Sequence, residues 1–323
     1  MKFTEEQLKI YAAPLSETEN QKCLNAISMV RDALKKLGLT DDNKPILRMH
    51  SDTYAYVLEM RGLYTDRKVK IFVQGSYAND TNVRTESDVD VAIIQEEVFK
   101  PVYRTGITGS NYNFSDAPIP SKTFKDEVQE CLVDMFGNDV ERRNKSVKVH
   151  GNTYRKDIDT VPCMRYRDYS EDYRFDETNF MGGIVITADT GEVILNYPEQ
   201  HIRNGLQKNG STERVYKRMV RIIKKMRYLM EDKFIASASN VSSFVLESLL
   251  WNIPDNVYLK YKSIYRFTFD EVIQYAHSNK SSFIIYKEAN GIKPLCPTQK
   301  DVDSLQKFIS DLIEFYQYDI KEN

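Results

Sequence analysis

Cysteine, histidine and tryptophan are scarce in this chain, and neither sign of charge dominates it: four Cys, four His and one Trp occur in 323 residues, with 45 Lys and Arg against 47 Asp and Glu. Each shortage excludes something. Cys23, Cys131, Cys163 and Cys296 lie far apart, with no Cys-x-x-Cys and no histidine cluster nearby, which excludes a disulfide framework and a zinc site and leaves reduced core thiols. The even charge balance lacks the broad basic excess of a protein that holds long nucleic acid, so small nucleotides are the expected ligands. His50, His150, His201 and His277 have no acid or nucleophile beside them in sequence and read as structural or surface residues. No apolar run reaches membrane-spanning length, and Met1-Lys2-Phe3-Thr4 lacks the pattern of a signal peptide. A cytoplasmic monomer with no membrane contact is expected. Internal repeats and low-complexity tracts are also missing.

What is present is a sizeable apolar fraction, 41%, in a chain longer than one compact domain, so two lobes are expected. Early helices are read over residues 17–37 and 46–61, and a polar loop over 104–120. Residues 69–73 are apolar and β-branched and predict a buried strand ending at Gly75. Glycine there lets backbone approach a ligand, and the Ser76 hydroxyl and amide can donate to phosphate oxygens.

Twelve residues after Ser76 comes Asp88-Val89-Asp90-Val91. In a strand, Asp88 and Asp90 share one face while the valines take the other. Two carboxylates side by side repel, and a divalent cation between them relieves the repulsion; oxygen-only ligands suit Mg²⁺ carrying a triphosphate. A second ion needs a third carboxylate, and Asp157-Ile158-Asp159-Thr160-Val161-Pro162 offers two. A hairpin pairing 146–150 with 153–156 around Gly151-Asn152 would put Asp157 and Asp159 on one face, and the pattern leaves both open.

From His201 to Lys233 the chain carries ten Lys or Arg against Glu213, Glu231 and Asp232. Val215, Met219, Ile222, Ile223, Met226, Leu229 and Met230 form a helical stripe, with Lys217, Arg221 and Lys224 away from it, as expected of a largely solvated charged face. Ser242 and Ser243 open a further helix whose free amides suit an anion. A hairpin over 183–187 and 192–196, and amphipathic helices over 265–277 and 301–318, complete the reading.

These motifs together, Gly75-Ser76-Tyr77-Ala78 with Thr81, Ser87-Asp88-Val89-Asp90-Val91, Asp159-Thr160-Val161-Pro162, Asn196-Tyr197-Pro198, the 216–224 helix and Ser242-Ser243-Phe244-Val245-Leu246-Glu247, resemble the cGAS/DncV-like nucleotidyltransferases of the polymerase-β superfamily. The resemblance covers about residues 68 to 254. It implies an α+β fold: a polymerase-β-like core, a mixed sheet with helices, in residues 1–204, and a C-terminal helical lobe in 205–323, with the nucleotide in the cleft between them. It selects Asp159 over Asp157 as the third catalytic carboxylate beside Asp88 and Asp90, all three holding two Mg²⁺ ions that Mn²⁺ can replace. It assigns Gly75, Ser76, Lys224 and Ser243 to the triphosphate, with Lys217 the alternative lysine, and Phe244 to the donor base or to ordinary core. Thr160 departs from the family, where an apolar residue is usual, and the zinc insertion through which the animal enzyme senses DNA has no counterpart. The implied activity is synthesis of a cyclic oligonucleotide from ribonucleoside triphosphates, ATP among them, with the product activating a separate effector in antiphage signalling (CBASS). Transfer to RNA ends or small acceptors is the alternative chemistry, and a catalytically silent nucleotide sensor the alternative class.

Overall fold

The computed structural model describes residues 2–83, 88–117 and 120–318. Ser87 of the Ser87-Asp88-Val89-Asp90-Val91 motif and residues 118–119 of the polar loop lie outside the described residues. The chain forms two compact units that interleave along the sequence: one comprises residues 16–78 and 88–198, the other residues 1–15, 79–87 and 199–323.

The first unit is built on a mixed sheet. The strands Val193–Asn196, Met181–Thr187, Ile158–Tyr169, Val89–Tyr103, Lys68–Gln74, Tyr56–Gly62 and Leu39–Thr40 follow one another across it in that order. Val89–Tyr103 and Ile158–Tyr169 run parallel, and their other neighbours on this path are antiparallel. The apolar run 69–73 is a strand as read, extended by one residue at each end to Lys68–Gln74. The 183–187 and 192–196 pairing is also present.

Two local readings are corrected. Residues 46–61 are not helical: Leu47–Arg48 and Tyr56–Gly62 are antiparallel strands. Tyr56, Leu58 and Met60 are buried while Glu59 and Arg61 are exposed, and this period of two overrides the helix propensity of Leu, Glu, Met and Arg. The hairpin around Gly151-Asn152 has only its first arm. Val147–Val149 pairs instead with Ile158–Tyr169, Val149 opposite Ile158. The Asn152 side chain accepts the Tyr154 and Arg155 amides, a local turn that keeps 153–156 from extending. The polar loop is pinned by Tyr112, which is buried, stacks with Tyr103 and Phe114, and donates its hydroxyl to Asp172 at 2.8 Å.

The second unit is helical. Its core joins Phe3, Leu8 and Ala12 to Val215–Asp232, Ser243–Asn252, Tyr265–Ser278 and Gln299–Phe315. Only part of the charged face of Val215–Asp232 is solvated: Arg218, Lys225 and Arg227 are half-buried, and the rest is covered. Lys217, Arg221 and Lys224 are only 3%, 4% and 2% exposed, because segments of this unit cover the helix on the polar side as well. Arg221, for example, donates to the Ala12 carbonyl at 2.6 Å and to the Asp80 carbonyl. Among the described residues no helix is long and apolar enough to cross a membrane.

Candidate active site

Strand register assembles the acidic face. Asp90 lies opposite Gln74 on one side and opposite Asp159 on the other. The Val89 amide donates to the Asp157 carbonyl at 3.0 Å, which fixes the parallel register at the strand ends. Because side chains alternate, Asp88 and Asp90 share a face with Asp157 and Asp159, while Val89, Val91, Ile158 and Thr160 are buried on the other. Burial also accommodates Thr160, the departure from the family pattern: its hydroxyl donates to the Val147 carbonyl at 2.6 Å.

Gly75 opens a single helical turn, Gly75–Ala78, at the end of the neighbouring strand. Its φ is +71°, and a Cβ there would collide with the Asp90 carboxylate at Oδ2. Glycine is thus required twice, by backbone conformation and by the space that Asp90 uses. Ser76 follows, half-buried.

Asp157 and Asp159, equivalent in the sequence pattern, differ in surroundings. Asp159 faces Arg143 Nη1 at 3.6 Å and the Ser146 hydroxyl at 3.4 Å. Burial raises its pKa, Arg143 opposes the rise and Asp88 adds to it, and the outcome is above the ordinary aspartate value. Asp157 accepts from Lys148 Nζ at 2.6 Å and from the Gly151 amide at 2.6 Å. Burial pushes its pKa up, but these donors outweigh it and hold the carboxyl below its ordinary value. Lys148, buried on the next strand and opposite Asp159, also reaches Asp88 Oδ2 at 2.8 Å.

Among the described residues no three acidic, histidine or cysteine side chains converge on one point that could hold an ion. The donor chemistry fits a divalent cation all the same. Asp88, Asp90 and Asp159 are hard oxygen donors on adjacent strands, and Asp159 is a carboxyl whose ionisation a cation would favour. Lys148 and Arg143 were missed from sequence. Lys148 alone carried a signal, as a lysine alternating with Val147 and Val149 in a strand preceding the acids.

In the helical unit, Ser242 caps Ser243–Asn252 by accepting the Val245 amide at 3.3 Å, and Ser243 is the first helical residue. Phe244 is 40% exposed and meets His201 edge to face, with ring centroids 5.4 Å apart. Lys224 Nζ donates to Glu247 Oε2 at 2.6 Å and to the Thr81 hydroxyl at 3.2 Å. Thr81 donates to the same Glu247 oxygen at 2.7 Å, and His201 Nε2 lies 2.9 Å from Glu247 Oε1. His201 is therefore not isolated: an acid 46 residues away in sequence is its partner. Burial would raise the Glu247 pKa, but Lys224 and His201 hold it far below the carboxylate range. Lys217, the alternative lysine, is buried on the same helix.

Residues 56–179 match the nucleotidyltransferase domain model, and residues 203–317 match that of the cGAS/DncV-like nucleotidyltransferase C-terminal helical domain. The chain is 46% identical over 319 residues to the cyclic GMP-AMP synthase CdnE03 of Staphylococcus schleiferi, with 98% of each chain covered. It is 32% identical over 330 residues to the cyclic dipyrimidine nucleotide synthase CdnE of Cecembia lonarensis, covering 97% of this chain and 99% of that one. The solved CdnE cyclic dinucleotide synthase of Elizabethkingia meningoseptica, with GTP and Apcpp, superposes with a TM-score of 0.70 at 30% identity, over 96% of this chain and 99% of the other. The Rhodothermus marinus CdnE c-UMP-AMP synthase has the same fold, with a TM-score of 0.74 at 24% identity over 99% and 98% of the two chains. With both lobes matched and the likeness running nearly end to end, the chain belongs to the cGAS/DncV-like nucleotidyltransferases.

Proposed function

We propose that this nucleotidyltransferase joins ribonucleoside triphosphates into a cyclic dinucleotide or short cyclic oligonucleotide. The observation that carries the reading is the strand register that sets Asp90 beside Asp159, next to a glycine whose missing Cβ leaves room for the Asp90 carboxylate. Asp88, Asp90 and Asp159 would hold divalent cations, Mg²⁺ first and Mn²⁺ as a substitute, which neutralise the leaving pyrophosphate and acidify the attacking ribose hydroxyl. The protein's own contribution is positioning and charge. Gly75 and Ser76 present amide and hydroxyl donors to the phosphates. Asp159, opposite Asp90 on the same face, is proposed to accept or pass on the ribose proton.

In the helical unit, Ser243 at a helix start is proposed to donate to the triphosphate, and the exposed Phe244 ring to stack on a base. Lys224 remains the proposed cation for the triphosphate; its ammonium is held by Glu247 and Thr81 and would exchange one of them to reach a phosphate. The names of the relatives support a cyclic product, and the family resemblance supports a role as a second messenger for a separate antiphage effector.

The test is incubation of purified protein with each ribonucleoside triphosphate, singly and in pairs, ATP with GTP first because of the name of the relative at 46% identity. Phosphatase-resistant products, resolved by chromatography and mass spectrometry, should appear and should vanish in Asp88→Ala/Asp90→Ala. Linear products extending an added RNA, with no cyclic species, would overturn the reading.

A further inference from the structure

Lys148 is a lysine with two acids. Only 7% exposed, it stands on the strand Val147–Val149, opposite Asp159, and its ammonium spans Asp88 at 2.8 Å and Asp157 at 2.6 Å. Its neighbours Val147 and Val149 are fully buried on the other face, so the strand fixes where the lysine stem starts, and the carboxylates fix where it ends. Asp157 is anchored in turn by the Gly151 amide at 2.6 Å. A buried ammonium is retained where several oxygens share it, and here the two acids are held on one face around it.

We propose that Lys148, held by Asp157, is the resident cation at Asp88, as Arg143 is at Asp159: it covers Asp88 against a bare divalent ion and favours one that arrives with the negative charge of a triphosphate. The inference rests on the proposed metal role of Asp88 and Asp90, and it gives Asp157 a task other than ligation. Two charges explain the selectivity. A bare divalent cation must displace or tolerate the ammonium at Asp88, which like charge opposes. A cation bearing triphosphate brings anionic oxygens that the same ammonium attracts. The face then discriminates a nucleotide-bound ion from a free one before any reaction takes place.

The test measures Mn²⁺ binding to the full-length protein by electron paramagnetic resonance, first without nucleotide and then with a non-hydrolysable ATP analogue. Lys148→Met keeps the apolar stem and removes the charge, Lys148→Gln removes the charge with a polar end, and Lys148→Arg keeps it. Without nucleotide, Met and Gln should each bind Mn²⁺ about tenfold more tightly than wild type, and Arg should not. The gain in Mn²⁺ affinity on adding the analogue should be smaller in Met and Gln than in wild type. Unchanged or weaker Mn²⁺ binding in the folded Met or Gln variant overturns the proposal. Asp90→Asn separates the two levels: if it abolishes Mn²⁺ binding while the lysine variants change nothing, only the Lys148 inference fails. If it leaves Mn²⁺ binding intact, the metal role of the face fails with it.

Discussion

The Asp90 carboxylate occupies the position that a side chain on Gly75 would take. The Gly-Ser turn and the Asp-x-Asp strand are therefore fitted to one another, beyond being neighbours in sequence. Gly75→Ala should cost about 1 kcal/mol for the left-handed backbone alone and more for the contact. It should also move Asp90, lowering kcat by about 10²-fold, since a misplacement on the order of 1 Å has that effect. Urea unfolding and steady-state kinetics read the two losses separately.

Asp159→Asn should separate stability from activity. The Asp159 pKa is raised by burial and by Asp88, against Arg143. A carboxyl raised in the folded state favours folding at low pH, and that advantage is lost as the pH climbs through its folded value. At neutral pH the wild-type carboxylate is thus a destabilising charge that Asn removes. The variant should melt at a higher temperature than wild type in metal-free buffer, yet lose at least ~10³-fold in product formation. Differential scanning calorimetry with chelator, beside the nucleotide assay, checks both signs.

The acids and the Gly-Ser turn were legible because their chemistry is local: period two in a strand and one glycine suffice to state it. The pattern itself left Asp157 and Asp159 equivalent, and only the resemblance selected Asp159; their different surroundings come from Lys148 and Arg143, which only strand pairing brings to the acids. His201 was read as isolated because its acid, Glu247, joins it only through helix packing. The 46–61 segment misled for another reason. Its Leu, Glu, Met and Arg favour helix locally, and only the sheet neighbours make alternate burial the stronger term.

Glu247→Gln should destabilise the helical unit strongly. It leaves the buried Lys224 ammonium without its anionic partner, a change that costs about 3–5 kcal/mol. The Glu247 pKa is depressed in the fold, so its contribution is full above about pH 4.5 and falls away as the pH drops towards the much lower folded value. The difference in unfolding free energy between wild type and Glu247→Gln should accordingly shrink as the pH falls below about 4.5. A difference that grows below about pH 4.5 would contradict the ion pair as its source.

Phe244 separates packing from ligand contact because it is 40% exposed, in contrast to Leu246, Leu249 and Leu250 on the same helix, which are fully buried. A ring that is partly open contributes only part of a full burial, so Phe244→Ala should lower stability by about 1–2 kcal/mol. Stacking on a base is worth about 1–3 kcal/mol, which converts to roughly a 5- to 150-fold rise in KM for the nucleotide that uses it. If the ring serves only to hold the base, kcat for that nucleotide should change little, because ground state and transition state lose the contact equally. Phe244→Tyr keeps a stacking face and should restore KM. A KM unchanged in Phe244→Ala for every nucleotide would assign the ring to its edge-to-face contact with His201 alone.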